Sequence, residues 1–193
     1  AHVARARGGP VSAAPLDRLG PWTLDDLAEV DDEVHRFEVV DGSLVVSPPP
    51  TPRHQRIARR LFRQLLVQET AEWEAVYEAY VRLGSDGRQP DLALLRRDAP
   101  EPQATYGWPP DAFGLVVEVV SPTSRRRDRL HKMLEYADAE ISHYWLVETG
   151  PGVEVIAFEL VDGAYREAGR LRDRAGLLPG PVRLRVDTGA LGP

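Results

Sequence analysis

The chain has 193 residues and a formal net charge of −6 at neutral pH, and 42% of its residues are hydrophobic. This length predicts a core that needs no disulfide or structural metal, and the absence of cysteine excludes thiolate metal sites and a cysteine nucleophile. The acidic balance argues against a protein that coats nucleic acid through a basic surface.

The first 20 residues are rich in Ala, Arg, Gly and Pro and show no periodic pattern. They are predicted to form a flexible tail over residues 1–20, followed by a single domain over residues 21–193. No apolar run is long enough to span a membrane, and the first residues lack the apolar stretch of a secretory signal. We therefore expect a cytoplasmic protein without a membrane partner.

The predicted elements begin with a short helix that starts after Thr23 and ends near Val30, since Thr23 can cap it and acidic residues fill its first turn. The Asp41-Gly42 pair that follows is typical of a tight turn. It predicts a hairpin of two strands, 36–40 and 43–47.

The middle of the chain predicts one long helix and three strands. Apolar residues recur at spacings of three and four over about 51–70, which favours a helix. Strands are predicted over 73–83, 91–95 and 113–120, the last being the strongest buried-strand signal. Four prolines make residues 96–112 a predicted loop.

The last third predicts a helix from about 124 to 138 and a strand over 142–148. A hairpin is expected over 152–168 and a final strand over 182–187. The order of elements indicates an α/β or α+β fold, with a central mixed β-sheet flanked by helices and an extra C-terminal hairpin.

Lys132 is the one lysine of the chain, because 23 of its 24 basic residues are arginine. An ammonium is a compact charge whose proton affinity can change, whereas a guanidinium stays protonated. A position that keeps lysine in such a chain is a candidate for catalysis. Compositional drift would also leave a single lysine, and a pair with Asp128 one helical turn earlier would also favour one here. Asp128, Lys132 and Tyr136 are predicted to share one helix face.

Three acidic residues lie in or beside predicted strands, namely Glu38, Asp91 and Glu118. A carboxylate within a buried strand is costly unless it is paired or holds a metal. Carboxylates at neighbouring strand ends are ligands that suit Mg²⁺ or Mn²⁺, and a lysine beside them can position water or stabilise negative charge. Purely structural roles stay open: Asp91 could start a strand or cap a turn, and Glu38 and Glu118 could face water.

Six motifs follow one another along the chain: Phe37-Glu-Val-Val-Asp-Gly-Ser-Leu44, Ser47-Pro-Pro-Pro-Thr-Pro-Arg-His54, Pro90-Asp91, Val117-Glu-Val-Val-Ser-Pro-Thr-Ser124, Asp128-x-x-x-Lys132-x-x-x-Tyr136 and Tyr144-Trp-Leu-Val147. In this order they resemble the Uma-type (Uma-two) family of restriction-endonuclease-like proteins within the PD-(D/E)xK nuclease superfamily. The resemblance covers roughly residues 22–160. Its most specific part is Glu-Val-Val-Ser-Pro-Thr followed by the Asp, Lys and Tyr at spacings of four.

The resemblance implies a restriction-endonuclease-like core and an endonuclease that hydrolyses phosphodiester bonds in DNA with Mg²⁺ (or Mn²⁺). It implies that Asp91 and Glu118 are the metal ligands. The simple form of the motif places its lysine two residues after the second carboxylate, where this chain has Val120. The resemblance therefore implies that Lys132 supplies the ammonium from the following helix, with Glu38 as an additional catalytic acid.

Further residues fall on recurring family positions and are expected to support the site: His54, Ser121, Asp128 and Tyr136. Arg125, Arg126 and Arg127 adjoin the predicted site and suit phosphate groups, although a solvated helix face accounts for them as well. A homodimer is expected from the likeness to nucleases that cut both strands. Two alternative functions stay open: a catalytically inactive binding or scaffolding module that keeps the nuclease fold, and a hydrolase that acts on another phosphate ester.

Overall fold

The computed structural model describes residues 20–30, 35–102, 106–120 and 126–192, without the side chains of residues 126–128. The strands in these ranges are β1 (Arg36–Val40), β2 (Ser43–Ser47), β3 (Trp73–Tyr77), β4 (Val81–Leu83), β5 (Asp86–Arg88), β6 (Leu92–Arg96), β7 (Phe113–Val120), β8 (His143–Glu148), β9 (Glu154–Val161), β10 (Ala164–Arg172), β11 (Ala175–Leu178) and β12 (Leu184–Asp187). The helices are α1 (Pro52–Leu66) and α2 (Arg126–Asp138), with short 3-10 helices at Leu24–Glu29 and Pro110–Ala112.

A six-stranded mixed sheet with the order β10-β9-β8-β7-β6-β3 forms the centre of the fold. Strands β7 and β8 are parallel and α2 connects them, whereas the other neighbours are antiparallel. The predicted α+β fold with a central mixed sheet is confirmed. The predicted hairpin after residue 152 extends this sheet as β9 and β10.

The two helices pack on opposite faces of this sheet. Val117 and Val119 of β7 join a buried cluster that includes α1 residues, whereas Val116 joins a cluster that includes Tyr136 of α2. Because successive residues of a strand point to opposite faces, Glu118 lies on the same face as Val116. Strand alternation thus directs the Glu118 carboxylate toward α2.

A smaller sheet has the order β2-β1-β5-β4. Its β1–β2 hairpin has the predicted bounds, and Asp41 and Gly42 both take positive φ angles of 49° and 68°. These angles are those of the type I′ turn that Asp-Gly favours, because this turn matches the twist of the flanking strands.

One predicted strand is divided in the structure, and some observed strands were not predicted. The strand expected over 73–83 is divided at Glu78, whose φ of 49° interrupts the extended backbone, so that β3 joins the central sheet and β4 the smaller one. Strand β11, which pairs with β12, was not predicted because Ala-Gly-Leu-Leu lacks a β-branched or alternating pattern.

Residues 1–19 of the predicted tail lie outside the described residues, as do the first residues of the helix expected from about 124. No helix in the described ranges combines the length and apolar character needed to cross a bilayer.

Candidate active site

Asp91 and Glu118 are brought together by the register of the central sheet. Leu92 of β6 pairs with Val117 of β7, so that Asp91, directly before β6, lies opposite Glu118. Both residues are buried, with 3% and 5% of their surface exposed. The Val119 N–H donates to Asp91 Oδ2 at 2.7 Å, which ties the first carboxylate to the strand that carries the second.

Lys132 of α2 contacts Glu118 of this pair and also Glu38. Its Nζ lies 3.1 Å from Glu118 Oε1 and 2.9 Å from Glu38 Oε1. The Tyr136 hydroxyl donates to the same Glu118 oxygen at 2.9 Å. Two residues one turn apart on α2 thus hold Glu118, which agrees with the helix face predicted from their spacing. Val120, at the position of the simple motif's lysine, takes no part in these contacts.

Glu38 is buried in β1, with 4% of its surface exposed, and does not face water. Its Oε2 accepts a hydrogen bond from Arg88 at 3.0 Å, and its Oε1 accepts one from the Gln89 N–H at 3.1 Å. Arg88 extends the network, since its guanidinium makes two hydrogen bonds with Glu135 of α2 at 2.7 and 2.8 Å. The alternative of a water-facing residue is wrong for Glu38, and equally for Glu118, which lies in an interior strand.

His54 and Arg36 hold Asp91 from its other side. His54 lies in the first turn of α1, which Thr51 caps, and its Nε2 lies 3.1 Å from Asp91 Oδ2. Arg36 donates to Asp91 Oδ1 at 2.7 Å and to Glu78 at 2.6 Å. Asp91 therefore accepts hydrogen bonds at both of its oxygens.

Burial and charge act in opposite directions on the ionisable groups of this site. Burial raises the pKa of Glu118 to about 7, and the charges of Asp91 and Glu38 add to this effect while Lys132 opposes it. Burial would lower the pKa of Lys132, but Glu118 and Glu38 outweigh it and raise that pKa above its ordinary value. Burial would raise the pKa of Glu38, but Lys132 and Arg88 reverse the shift and lower it. Lys132 is therefore protonated at neutral pH.

The donor set fits a hard divalent cation. Mg²⁺ in proteins is commonly bound by one or two carboxylates, with water and substrate phosphate completing the shell. Asp91 and Glu118 are two such carboxylates, and their mutual charge contributes to the raised pKa of Glu118. Among the described residues, no group of three or more His, Asp or Glu side chains is placed to bind a metal ion. A cation here would therefore depend on water or substrate oxygens as well.

Several predicted residues cannot be placed. Ser121 and Arg125 lie outside the described residues, and the side chains of Arg126, Arg127 and Asp128 are not described. Their expected contacts with the site or with phosphate remain predictions.

The sequence reasoning missed four charged residues of the network: Arg36, Glu78, Arg88 and Glu135. A signal was present for two of them. Arg36 stands two residues before Glu38 on the same strand face, and Glu135 lies three residues after Lys132 on the helix.

The sequence model of the family described as "Uma2: Putative restriction endonuclease" matches residues 23–183. The chain belongs to this family. The Uma2 match spans all five elements that supply the site: β1, α1, the β5–β6 segment, β7 and α2. No curated protein sequence matches the chain significantly.

A crystal structure from Anabaena variabilis, described as "a putative nuclease belonging to DUF820", has a similar fold. The TM-score is 0.64 at 16% sequence identity, and the alignment covers 89% of this chain and 97% of the other. At this identity the likeness shows the fold alone. Membership of the Uma2 family supports a nuclease function for this chain.

Proposed function

We propose that this protein is an Mg²⁺-dependent (or Mn²⁺-dependent) endonuclease that hydrolyses phosphodiester bonds in DNA. The observation that carries the proposal is the contact of the Lys132 ammonium with Glu118, which lies opposite Asp91 in the register of β6 and β7. A buried carboxylate pair with an adjacent lysine suits the stabilisation of negative charge at a phosphate.

In this proposal Asp91 and Glu118 hold the metal ion, and Glu38 assists at the edge of the site. When bound, the cation supplies positive charge that polarises the phosphoryl group and favours ionisation of the attacking water. The burial of both carboxylates favours this role, because charge interactions are stronger where bulk water is excluded.

Lys132 acts as a hydrogen-bond donor in this scheme. Its ammonium stays protonated and cannot serve as a general base at neutral pH. Its Nζ lies 3.1 and 3.3 Å from the two oxygens of Glu118, which can share one N–H, and a second N–H donates to Glu38. The third N–H then remains for a phosphate oxygen or the attacking water. Negative charge that develops on the phosphate is then stabilised by a donor that is already in position.

The surrounding residues fix these groups. Tyr136 orients Glu118, His54 orients Asp91, and Arg88 with the Gln89 N–H orients Glu38. Each of these contacts restricts a carboxylate to one arrangement, so that less reorganisation is needed when substrate binds. We assign Arg125, Arg126 and Arg127 to phosphate contacts of the DNA, and Ser121 and Asp128 to support of the site.

The test is cleavage of supercoiled plasmid DNA by purified protein with Mg²⁺ or Mn²⁺ and with EDTA. We expect metal-dependent nicking by the wild type and none by Asp91→Asn, while circular dichroism shows that the variant is folded. Intact DNA and RNA in every metal would contradict the proposed activity.

One observation favours the second candidate, an inactive binding module. Asp91 and Glu38 each accept hydrogen bonds at both oxygens from groups of the chain itself, so neither needs a metal ion to be satisfied. Calorimetric titration with Mn²⁺ separates the two candidates. Metal binding that is lost in Asp91→Asn supports the enzyme, and a wild type that binds no divalent ion supports the module.

We also propose a homodimer, since two copies would present two sites for the two strands of a duplex. Sedimentation equilibrium with and without DNA measures the oligomeric state directly. A monomer under both conditions would contradict this part of the proposal.

A further inference from the structure

A cavity of about 630 Å³ opens next to the carboxylate site, and aromatic rings line it. The rings come from three parts of the fold: Phe62 of α1, Tyr77 at the end of β3 with Tyr80 just after it, and Tyr106 with Trp108 before β7. These segments are far apart in the sequence, so the aromatic lining is a product of the tertiary fold.

Two pairs of rings shape the walls. The Phe62 and Tyr77 centroids lie 3.9 Å apart, and those of Tyr80 and Tyr106 lie 4.8 Å apart. Tyr77 and Tyr106 nevertheless leave 42% and 36% of their surface exposed. Ring surface of this extent, gathered in one concavity, is characteristic of a binding site rather than of scattered surface residues.

The backbone around the cavity is fixed. The Tyr80 hydroxyl donates to the Phe37 carbonyl at 2.9 Å, and the backbone N–H of Trp108 donates to the Tyr80 carbonyl at 2.9 Å. Gly107 has a φ of 88°, and a Cβ there would approach Tyr80 to 2.9 Å, so a side chain would collide with the wall. The Trp108 indole N–H is buried and has no acceptor in the described part of the chain.

Direct contacts connect the cavity to the carboxylates. Glu78 and Gln89 both line it. Glu78 accepts a hydrogen bond from Arg36, which also holds Asp91, and the Gln89 N–H donates to Glu38. Arg36 and Glu78 therefore link Asp91 to the wall of the cavity.

We propose that this aromatic cavity binds an unstacked nucleobase of the substrate strand, so that DNA with unpaired bases is preferred over a fully paired duplex. The inference rests on the proposed nuclease function. Aromatic rings bind nucleobases by stacking, a contact that is open to unpaired bases and closed to bases within a duplex. A chain with a net charge of −6 gains little general attraction for phosphates, so stacking would carry much of the affinity.

The test measures binding without catalysis, by fluorescence anisotropy in EDTA with a labelled oligothymidylate and a blunt duplex of equal length. Stacking on an aromatic side chain contributes about 1–3 kcal/mol per base, so Tyr106→Ala should weaken single-strand binding about 5-fold to 150-fold. Tyr106→Phe should retain the wild-type affinity because it keeps the ring. Leu177→Ala, an exposed residue on β11, is the matched control and should change nothing.

An unstacked base can come from single-stranded DNA or can be extruded from a duplex, and a duplex with one abasic position distinguishes these two sources. If this duplex binds as tightly as the single strand, the ligand is an extruded base. If the single strand binds more tightly, the ligand is a base of single-stranded DNA. Equal affinity of the wild type and Tyr106→Ala for the single strand, or tighter binding of the blunt duplex, would overturn the proposal. Failure of the base-binding proposal can be distinguished from failure of the nuclease function, because plasmid nicking and DNA binding in EDTA are measured independently.

Discussion

The ammonium of Lys132 joins carboxylates from two different sheets, because its Nζ lies 2.9 Å from Glu38 of β1 and 3.1 Å from Glu118 of β7. One cation on α2 therefore brings together the smaller sheet, the central sheet and the helix that connects β7 to β8. This arrangement gives the lysine a structural role as well as the catalytic role proposed for it.

The first prediction separates these two roles through Lys132→Arg. Arginine keeps the positive charge, so we expect the fold to persist, but its planar guanidinium cannot occupy the position of a compact ammonium between two carboxylates. Loss of one well-placed donor to a developing negative charge typically lowers the rate about 100-fold to 1,000-fold. Plasmid nicking with Mn²⁺ measures the loss. Arg166→Lys, the reverse exchange at an exposed site on β10, is the control and should cleave like the wild type.

The second prediction concerns the metal ligands. A ligand that binds the folded state at about 100 times its Kd stabilises a protein by about 2.7 kcal/mol. For a protein of this size, this raises Tm by about 5–10 °C. We expect such a rise for the wild type with Mn²⁺, measured by differential scanning fluorimetry, and none for Asp91→Asn or Glu118→Gln. Asp98→Asn, an exposed carboxylate paired with Arg96, should show the full rise. An undiminished rise in Asp91→Asn would place the metal elsewhere.

The third prediction concerns Arg36, which holds the Asp91 carboxylate that the metal ion would need. Arg36→Met should destabilise the metal-free protein by about 3–5 kcal/mol, because it leaves a buried carboxylate without its guanidinium partner. It should also tighten Mn²⁺ binding, since the competing guanidinium is gone. Urea unfolding and calorimetric titration measure the two effects.

The matched control for Arg36→Met is Arg97→Met, which removes an exposed arginine that pairs with Glu69 and Glu74. Exposed pairs contribute about 0–1 kcal/mol, so this variant should remain close to the wild type in both measurements. Weaker Mn²⁺ binding in Arg36→Met would instead mean that Arg36 helps to build the metal site.

The fourth prediction is a pH dependence of stability that arises at His143. Burial lowers the pKa of His143, although its hydrogen bond with the Gly114 carbonyl and the charge of Glu159 oppose the shift. The imidazole of His143 therefore binds a proton more readily in the unfolded chain than in the folded protein. The stability contribution is complete above the unfolded pKa of about 6.5 and is lost as the pH falls through the lowered pKa of the folded state.

The comparison with His143→Gln isolates this contribution, because all other titrating groups are common to both proteins. Urea unfolding on both sides of the unfolded pKa should show that the wild type loses more stability on acidification than His143→Gln does. His131→Gln, an exposed position on α2, should follow the wild type. Parallel pH profiles of the wild type and His143→Gln would contradict the assignment.

Strand and turn positions were predicted most accurately from the sequence where local turn chemistry and tertiary structure favour the same arrangement. The β1–β2 hairpin has its predicted bounds because the Asp-Gly turn and the alternation of the strands favour the same register. The break at Glu78 was not predictable from residues 73–83, which read as one β-prone stretch. Its left-handed backbone accompanies contacts with distant residues, namely the Asp91 carbonyl and the Arg36 side chain.

In the candidate site as well, the residues that stand out in the local sequence were predicted, and those whose roles depend on tertiary packing were not. The motifs predicted site roles for Asp91, Glu118 and Lys132, and the fold brings these residues close together. They could be singled out because an acid in an apolar strand and a lone lysine both stand out from their surroundings. Arg36 and Arg88 did not stand out, because 23 arginines in the chain give no contrast between a buried partner and a solvated side chain. Their roles depend on which arginines the fold buries, and only the tertiary structure decides that.

The connection between β5 and β6 consists of Gln89, Pro90 and Asp91. Its first residue binds Glu38 of the smaller sheet through its N–H, its last residue lies opposite Glu118 of the central sheet, and the proline between them has a nearly fixed φ. The spacing of the acids is therefore set by three residues of covalent chain as well as by packing. Lengthening this tract by a single glycine would leave the pairing within each sheet intact but would separate Glu38 from Glu118, so that the fold would persist while the proposed cleavage would be lost.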